Sequence, residues 1–316
     1  MAFSRALLSA YSWLCVVAWI SLSFSTTTAE AKTAILFGAT GSVGNEVLRA
    51  ILRNNSFFTK LIIVGRSFPP KVTDLLPELT SLRLPEVVKV QLSDLGNIDQ
   101  NEELLSMEAI DACFIATASG HPYLHDLGNW HFVEVDLTAS MTRLCEKLKV
   151  RSLTAFSAVD PAETPKYYTK EELKTDRDGT PMGWWRLLLE MTNIMKLKEI
   201  ALMDNSKSIQ FVRIHQPSNI ITEDIRYGWL DWTLFKILPW IDPWIPTKYH
   251  SVNATLLGMA MVQDAIRLLS GTTGGDDEDD HNGPRTYGDF LRIAGTDFAE
   301  LEEEQRILKE DKNKEL

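Results

Sequence analysis

Three glycines punctuate the run Gly38-Ala39-Thr40-Gly41-Ser42-Val43-Gly44, which joins the apolar stretch 33–37 to the helix-like stretch 45–54. A strand that turns into a helix through glycines lets the backbone approach a phosphate closely. The first amides of the helix and its dipole then stabilise the negative charge. The spacing is G-x-x-G-x-x-G rather than the common G-x-G-x-x-G, yet it occupies the turn of a complete strand-turn-helix unit. Gly38, Thr40, Gly41, Ser42, Val43 and Gly44 are therefore expected to hold the pyrophosphate of a dinucleotide.

The apolar stretch 61–64 ends at Gly65-Arg66-Ser67. At the end of a second strand a carboxylate accepts from a ribose 2′-hydroxyl, whereas an arginine pairs with a 2′-phosphate. No acid stands beside Arg66, so NADP(H) is expected in preference to NAD(H). Asp94 and Leu95, after a third strand, are placed to meet the adenine ring. Ala116 and Thr117, after a fourth, are placed to pass under the nicotinamide ribose.

Carbonyl reduction on such a scaffold needs a proton donor. A tyrosine and a lysine four apart on a helix share a face, and the lysine lowers the pKa of the phenol. None of the seven tyrosines is followed by lysine four residues on. Ser157 stands at the end of the fifth strand. In the helix that follows, Lys196 is the best-placed lysine, with Thr192 four residues before it. A threonine hydroxyl is far too weak an acid to replace a phenol. Tyr167 and Tyr168, in the preceding loop, are the displaced donors within reach by sequence.

The elements that position these residues alternate in type. Strands are expected at 33–37, 61–64, 87–92, 111–116, 152–156 and 209–214, with helices between them, including 134–148 and 185–204. Parallel neighbours need crossover connections, so this alternation predicts an α/β fold: a Rossmann-type, doubly wound parallel sheet. The domain is expected over 32–270, with a tryptophan-rich, proline-broken cap at about 225–250. An acidic loop (Asp276 to Asp280) and a charged tail follow in 271–316, the tail forming an exposed helix from about Glu300.

The chain of 316 residues carries a formal net charge of −11, which argues against a nucleic-acid surface, since phosphates call for clustered Lys and Arg. Cys113 and Cys145 lie in apolar stretches and read as core thiols, with pairing as the alternative in an oxidising compartment. Isolated histidines such as His121 and His125 lack metal-ligand spacing, and no metal is expected. The apolar stretch from Ala6 to about Phe24, followed by Ala29-Glu30-Ala31, reads as a cleaved signal peptide, an uncleaved anchor or an organellar presequence. The first two readings imply the endoplasmic reticulum lumen or membrane. Asn54-Asn55-Ser56 and Asn253-Ala254-Thr255 are sequons compatible with that route, and the chain ends with the last two residues of a retrieval tetrapeptide. Trp229, Trp232, Trp240 and Trp244 are either cap packing or, with residues 6–24 as anchor, a bilayer-interface surface.

Taken together, these segments resemble the atypical short-chain dehydrogenases/reductases that include the Tat-interacting oxidoreductase and membrane-associated fungal relatives. The resemblance covers residues 34–270. It rests on the glycine turn, on Val64-Gly65-Arg66, on Phe132-Val133-Glu134-Val135-Asp136 and on His250-Ser251-Val252. It implies that Gly38, Gly41, Gly44 and Arg66 contact NADP, and that Ser157 and Lys196 match the catalytic serine and lysine. The family's tyrosine falls on Thr192, and its arginine-proline turn on Gln216-Pro217. Three functions remain open: an NADPH-dependent reductase of a small carbonyl substrate with a displaced acid, a catalytically silent NADP(H)-binding module that engages a protein partner, and another enzyme such as an epimerase.

Overall fold

The computed structural model describes residues 31–69, 84–107, 109–119, 126–175, 184–222, 237, 239–271 and 283–314. Residues 6–24, His121, His125, Trp229, Trp232 and the acidic run 276–280 lie outside them.

In chain order the elements are β1 (Lys32–Phe37), α1 (Ser42–Arg53), β2 (Phe58–Gly65), β3 (Glu86–Gln91), α2 (Glu102–Leu105), β4 (Ala112–Ile115) and α3 (Leu127–His131). A π turn at Phe132–Asp136 leads into α4 (Leu137–Lys147), followed by β5 (Ser152–Phe156), α5 (Lys170–Thr175), α6 (Trp184–Asp204) and β6 (Phe211–His215). A two-stranded ribbon of β7 (Ile220–Ile221) and β8 (Val252–Asn253) precedes α7 (Ala254–Ser270), and α8 (Tyr287–Lys314) completes the order.

The six main strands pair in parallel in the order β3-β2-β1-β4-β5-β6. Alternation along β1 shows why the sheet is covered twice. Ala34 and Leu36 pack with α1, α7 and α8, while Ile35 and Phe37 pack on the other face with α4 and α6. Side chains at successive strand positions point to opposite faces, so strands buried on both sides read as continuous apolar runs. The chain order reverses between β1 and β4, and in open α/β sheets ligands bind beyond the carboxyl ends of the strands at such a reversal.

The expected six-strand, doubly wound architecture is the observed one. Cys113 and Cys145 are free, buried thiols. Burial and the neighbouring Cys145 push the Cys113 thiol well above its ordinary range. Both sequon asparagines have local structural work. Asn54 follows α1 and its side-chain amide donates to Ala50 O at 2.9 Å, while Asn253 caps α7 by accepting from the Thr255 amide at 2.8 Å.

The C-terminal segment differs from its expectation as a tail beyond the domain. The compact unit runs over Lys32–Leu316, and α8 begins at Tyr287 and carries Phe290, Ile293 and Ala294 into the core. What draws it in is a set of buried charges. Arg213 of β6 and Arg285, just before α8, face Asp264 of α7 with Nε to Oδ2 distances of 3.4 and 3.6 Å. Arg285 also pairs beside β6: its amide donates to Ile214 O at 2.8 Å and its carbonyl accepts from Gln216 N at 2.7 Å. His215 lies 3.9 Å from Asp264 and stacks on Phe290 at 5.5 Å. Burial lowers its pKa to about 4. Arg285 and Arg213 push the same way and Asp264 opposes them.

Two outcomes follow from this cluster. Asp264→Ala leaves two buried guanidinium groups without their shared carboxylate, and urea denaturation is expected to show a loss of about 3–5 kcal/mol. His215 is held neutral in the folded chain, so the unfolded chain takes up its proton first as pH falls. The stability present above the unfolded pKa of about 6.5 is lost between there and about pH 4. His215→Gln is expected to lose less stability than the wild type between pH 7 and 5, and an unchanged pH dependence would contradict this account.

Candidate functional site

The β1/β4 reversal brings the glycine turn against the start of the loop after β4. Gly38 adopts φ +84, and a Cβ there would lie 2.6 Å from the Ala116 carbonyl oxygen. At Gly44 a Cβ would lie 2.0 Å from Gly38 O. These two glycines are required by the turn itself. Gly41 is different. Its φ of −73 and ψ of 160 suit any residue, and the nearest atom to an added Cβ is 3.4 Å away. The chain therefore tolerates a side chain at Gly41 that the sequence omits.

The amino end of α1 lies at the same turn. Gly41 is its N-cap with no side-chain cap, and its first turn contains no acid. Ser42, Val43 and Gly44 form that first turn, and Thr40 is exposed beside it. Uncapped amides at a helix start make an anion site when a glycine turn lets a phosphate in.

Around this centre the other expected contacts fall at neighbouring strand ends. Arg66 is exposed after β2, and its carbonyl accepts from Gln91 Nε2 at 3.1 Å. Asp94 turns one carboxylate oxygen back to the Gly96 amide at 2.8 Å, leaving Leu95 half-buried after β3. Ala116 is buried, and Thr117 follows it in the loop after β4.

The residues expected to do proton chemistry are dispersed. Ser157 is buried, and its hydroxyl donates to Met195 O at 3.4 Å. Thr192 donates to Leu189 O within α6. Lys196 lies on the flank of the same helix, 3.8 Å from Glu199. Tyr167 is 69% exposed. Tyr168 donates to Glu190 and accepts from Asn193 Nδ2 at 2.7 Å. Burial and Glu190 both raise its pKa, which makes Tyr168 a poorer acid than a free phenol.

The lysine brought to the loop after β4 is Lys198, which the sequence reading passed over. Its ammonium is 2.8 Å from Glu134 Oε2 and 3.3 Å from Thr117 O, and it lies 4.8 Å above the Phe156 ring. A signal for it existed. Ile194, Lys198 and Leu202 are spaced by four, so Lys198 occupies the apolar stripe of α6 while Lys196 does not. A second polar group lies beyond the end of β5. Asp160, at φ +49, accepts from Lys248 Nζ at 2.8 Å and from the Tyr249 hydroxyl. Those two donors hold its carboxyl below the usual range.

In the cap, Trp240 and Trp244 are exposed. Among the described residues, no helix is long and apolar enough to cross a membrane.

No protein-family model and no curated protein sequence matches the chain. Solved structures do match in fold. Gre2 from Candida albicans in complex with NADPH shares 15% identity, covering 81% of this chain and 78% of that one, with a TM-score of 0.51. The yeast methylglyoxal/isovaleraldehyde reductase Gre2, also with NADPH, shares 11% over 80% and 78%, at 0.51. A UDP-N-acetylglucosamine 4-epimerase from Methanobrevibacter ruminantium shares 11% over 80% and 75%, at 0.50. The chain shares the Rossmann-type fold of these two reductases and this epimerase. Reductases and an epimerase share it, so the likeness gives the scaffold and leaves the chemistry to this chain's own residues.

The contrast among the glycines is testable. Gly41→Ala is expected to keep the folding stability within about 1 kcal/mol while weakening dinucleotide binding tenfold or more. Gly44→Ala, driven against Gly38 O, is expected to destabilise the fold by about 2–3 kcal/mol. Thermal denaturation and titration calorimetry on the two variants separate the roles.

Proposed function

We propose that this chain binds NADP(H) across the β1/β4 reversal and does so without the tyrosine-lysine proton relay of ordinary carbonyl reduction. Gly41 carries the binding half of this reading, because the fold accommodates a side chain there and a pyrophosphate would not. The uncapped start of α1 would receive the phosphates, and Arg66 would pair with a 2′-phosphate at the end of β2. Three observations support the second half. Threonine stands at the tyrosine position, Tyr168 is committed to Glu190, and Lys198 is committed to Glu134. A chain built this way suits an NADP(H)-responsive binding module, whose partner surface would change with cofactor occupancy.

A second reading has its own support. Tyr249, with Lys248 over its ring at 4.7 Å, reaches the loop after β5 through Asp160. A phenol beside an ammonium at that edge of the sheet would give a displaced acid for reducing a small carbonyl compound with NADPH.

Titration of the full chain with NADPH and NADH, followed by fluorescence, tests the proposal. NADPH is expected to bind at least tenfold tighter, and Arg66→Ala is expected to erase that preference. Equal binding of both cofactors would refute the 2′-phosphate assignment. NADPH oxidation with a panel of aldehydes and quinones, abolished in Tyr249→Phe, would establish the second reading in place of the silent module.

A further inference from the structure

The oddest charges in the molecule are buried beside the proposed cofactor site. The side chains of Lys198 and Glu134 are 0% and 4% exposed. An ion pair taken this far out of water costs several kcal/mol per charge, and apolar residues of similar volume often do as well or better for stability. Stability alone gives little reason to keep it.

The way Glu134 is delivered is equally unusual. It lies in the π turn Phe132–Asp136 between α3 and α4, a feature found mostly as single turns at functional sites. Within that turn the ordinary burial pattern is inverted: Phe132 is 42% exposed while Glu134 is buried.

Glu134 Oε1 and Lys198 Nζ are both directed at one short loop. Glu134 Oε1 accepts from the Ser119 amide at 2.8 Å and from the Ser119 hydroxyl at 3.0 Å, and Oε2 accepts from Lys198. Lys198 also donates to the Thr117 carbonyl. Residues 117–119 have left β4, so the sheet no longer satisfies their backbone groups. The pair supplies a donor to one of these groups and an acceptor to another.

We infer that Glu134 and Lys198 form a positioning clamp that holds the Thr117–Ser119 loop for the nicotinamide half of the dinucleotide. The inference rests on the proposed NADP(H) site. Preorganising a loop lowers the ordering cost paid on binding, and the benefit goes only to the part of the ligand that meets the loop. Phosphates at the glycine turn and the 2′-phosphate at Arg66 lie on other elements and gain nothing from it.

The test compares NADPH with adenosine 2′,5′-bisphosphate, which lacks the nicotinamide half, by calorimetry on the full chain. Glu134→Gln is expected to weaken NADPH tenfold or more and to change the bisphosphate less than twofold. Ser119→Ala, which removes one hydroxyl from a partly exposed loop, is expected to weaken NADPH about threefold with the same selectivity, and it decides the matter if Glu134→Gln does not fold. Equal losses for both ligands, or no loss for either, would overturn the clamp and leave the cofactor site standing. A wild-type chain that binds neither ligand would overturn both.

Discussion

Six parallel strands covered by helices on both faces leave polar chemistry very little room. Strand interiors are mostly apolar and every crossover must pass over a face, so the carboxyl ends of the strands are where loops converge and where ligands can be met. In the order β3-β2-β1-β4-β5-β6 the direction of winding reverses between β1 and β4. Gly38 lies against Ala116 there, and α1 begins at the same turn. The glycine turn, the loop at Thr117 and the end of β2 at Arg66 are positioned by that geometry.

Buried charge is the second organising feature, used in two ways. Around Asp264 it joins elements far apart in the chain: β6, α7 and Arg285 meet at a single carboxylate, and α8 is thereby seated against the sheet. Around Glu134 it meets a loop instead. In both places the charges face partners, as desolvation demands, and in both the partners lie on different elements. A neutral His215 beside two arginines and one aspartate gives the first cluster an acid-sensitive member, since its burial opposes protonation.

Among the described residues, the groups nearest to a reductase's proton chemistry are engaged with other partners. Thr192 cannot serve as a phenol, Tyr168 is tied to Glu190, and Lys198 is neutralised. Asp160, beyond the end of β5, holds a Tyr249-Lys248 pair.

The alternation of strands and helices, the glycine turn and the arginine after β2 were legible in the sequence because each depends on local order. Apolar periodicity reports which face is buried, and a turn reports its own backbone. The core placement of Cys113 and Cys145 was legible for the same reason. The identity of the lysine at the loop after β4 was not. Lys196 and Lys198 differ by only two residues, and what separates them is the rotation of α6 against the sheet. The partner of Lys198 is 64 residues away in a π turn that local propensity does not announce. The place of α8 was hidden likewise, since its charged sequence suggests solvent while Asp264 and Arg285 draw its first turns into the core. Local sequence thus determined the scaffold and its glycine turn. Long-range packing decided which charges meet, because a buried charge is stabilised only by the groups the fold brings to it.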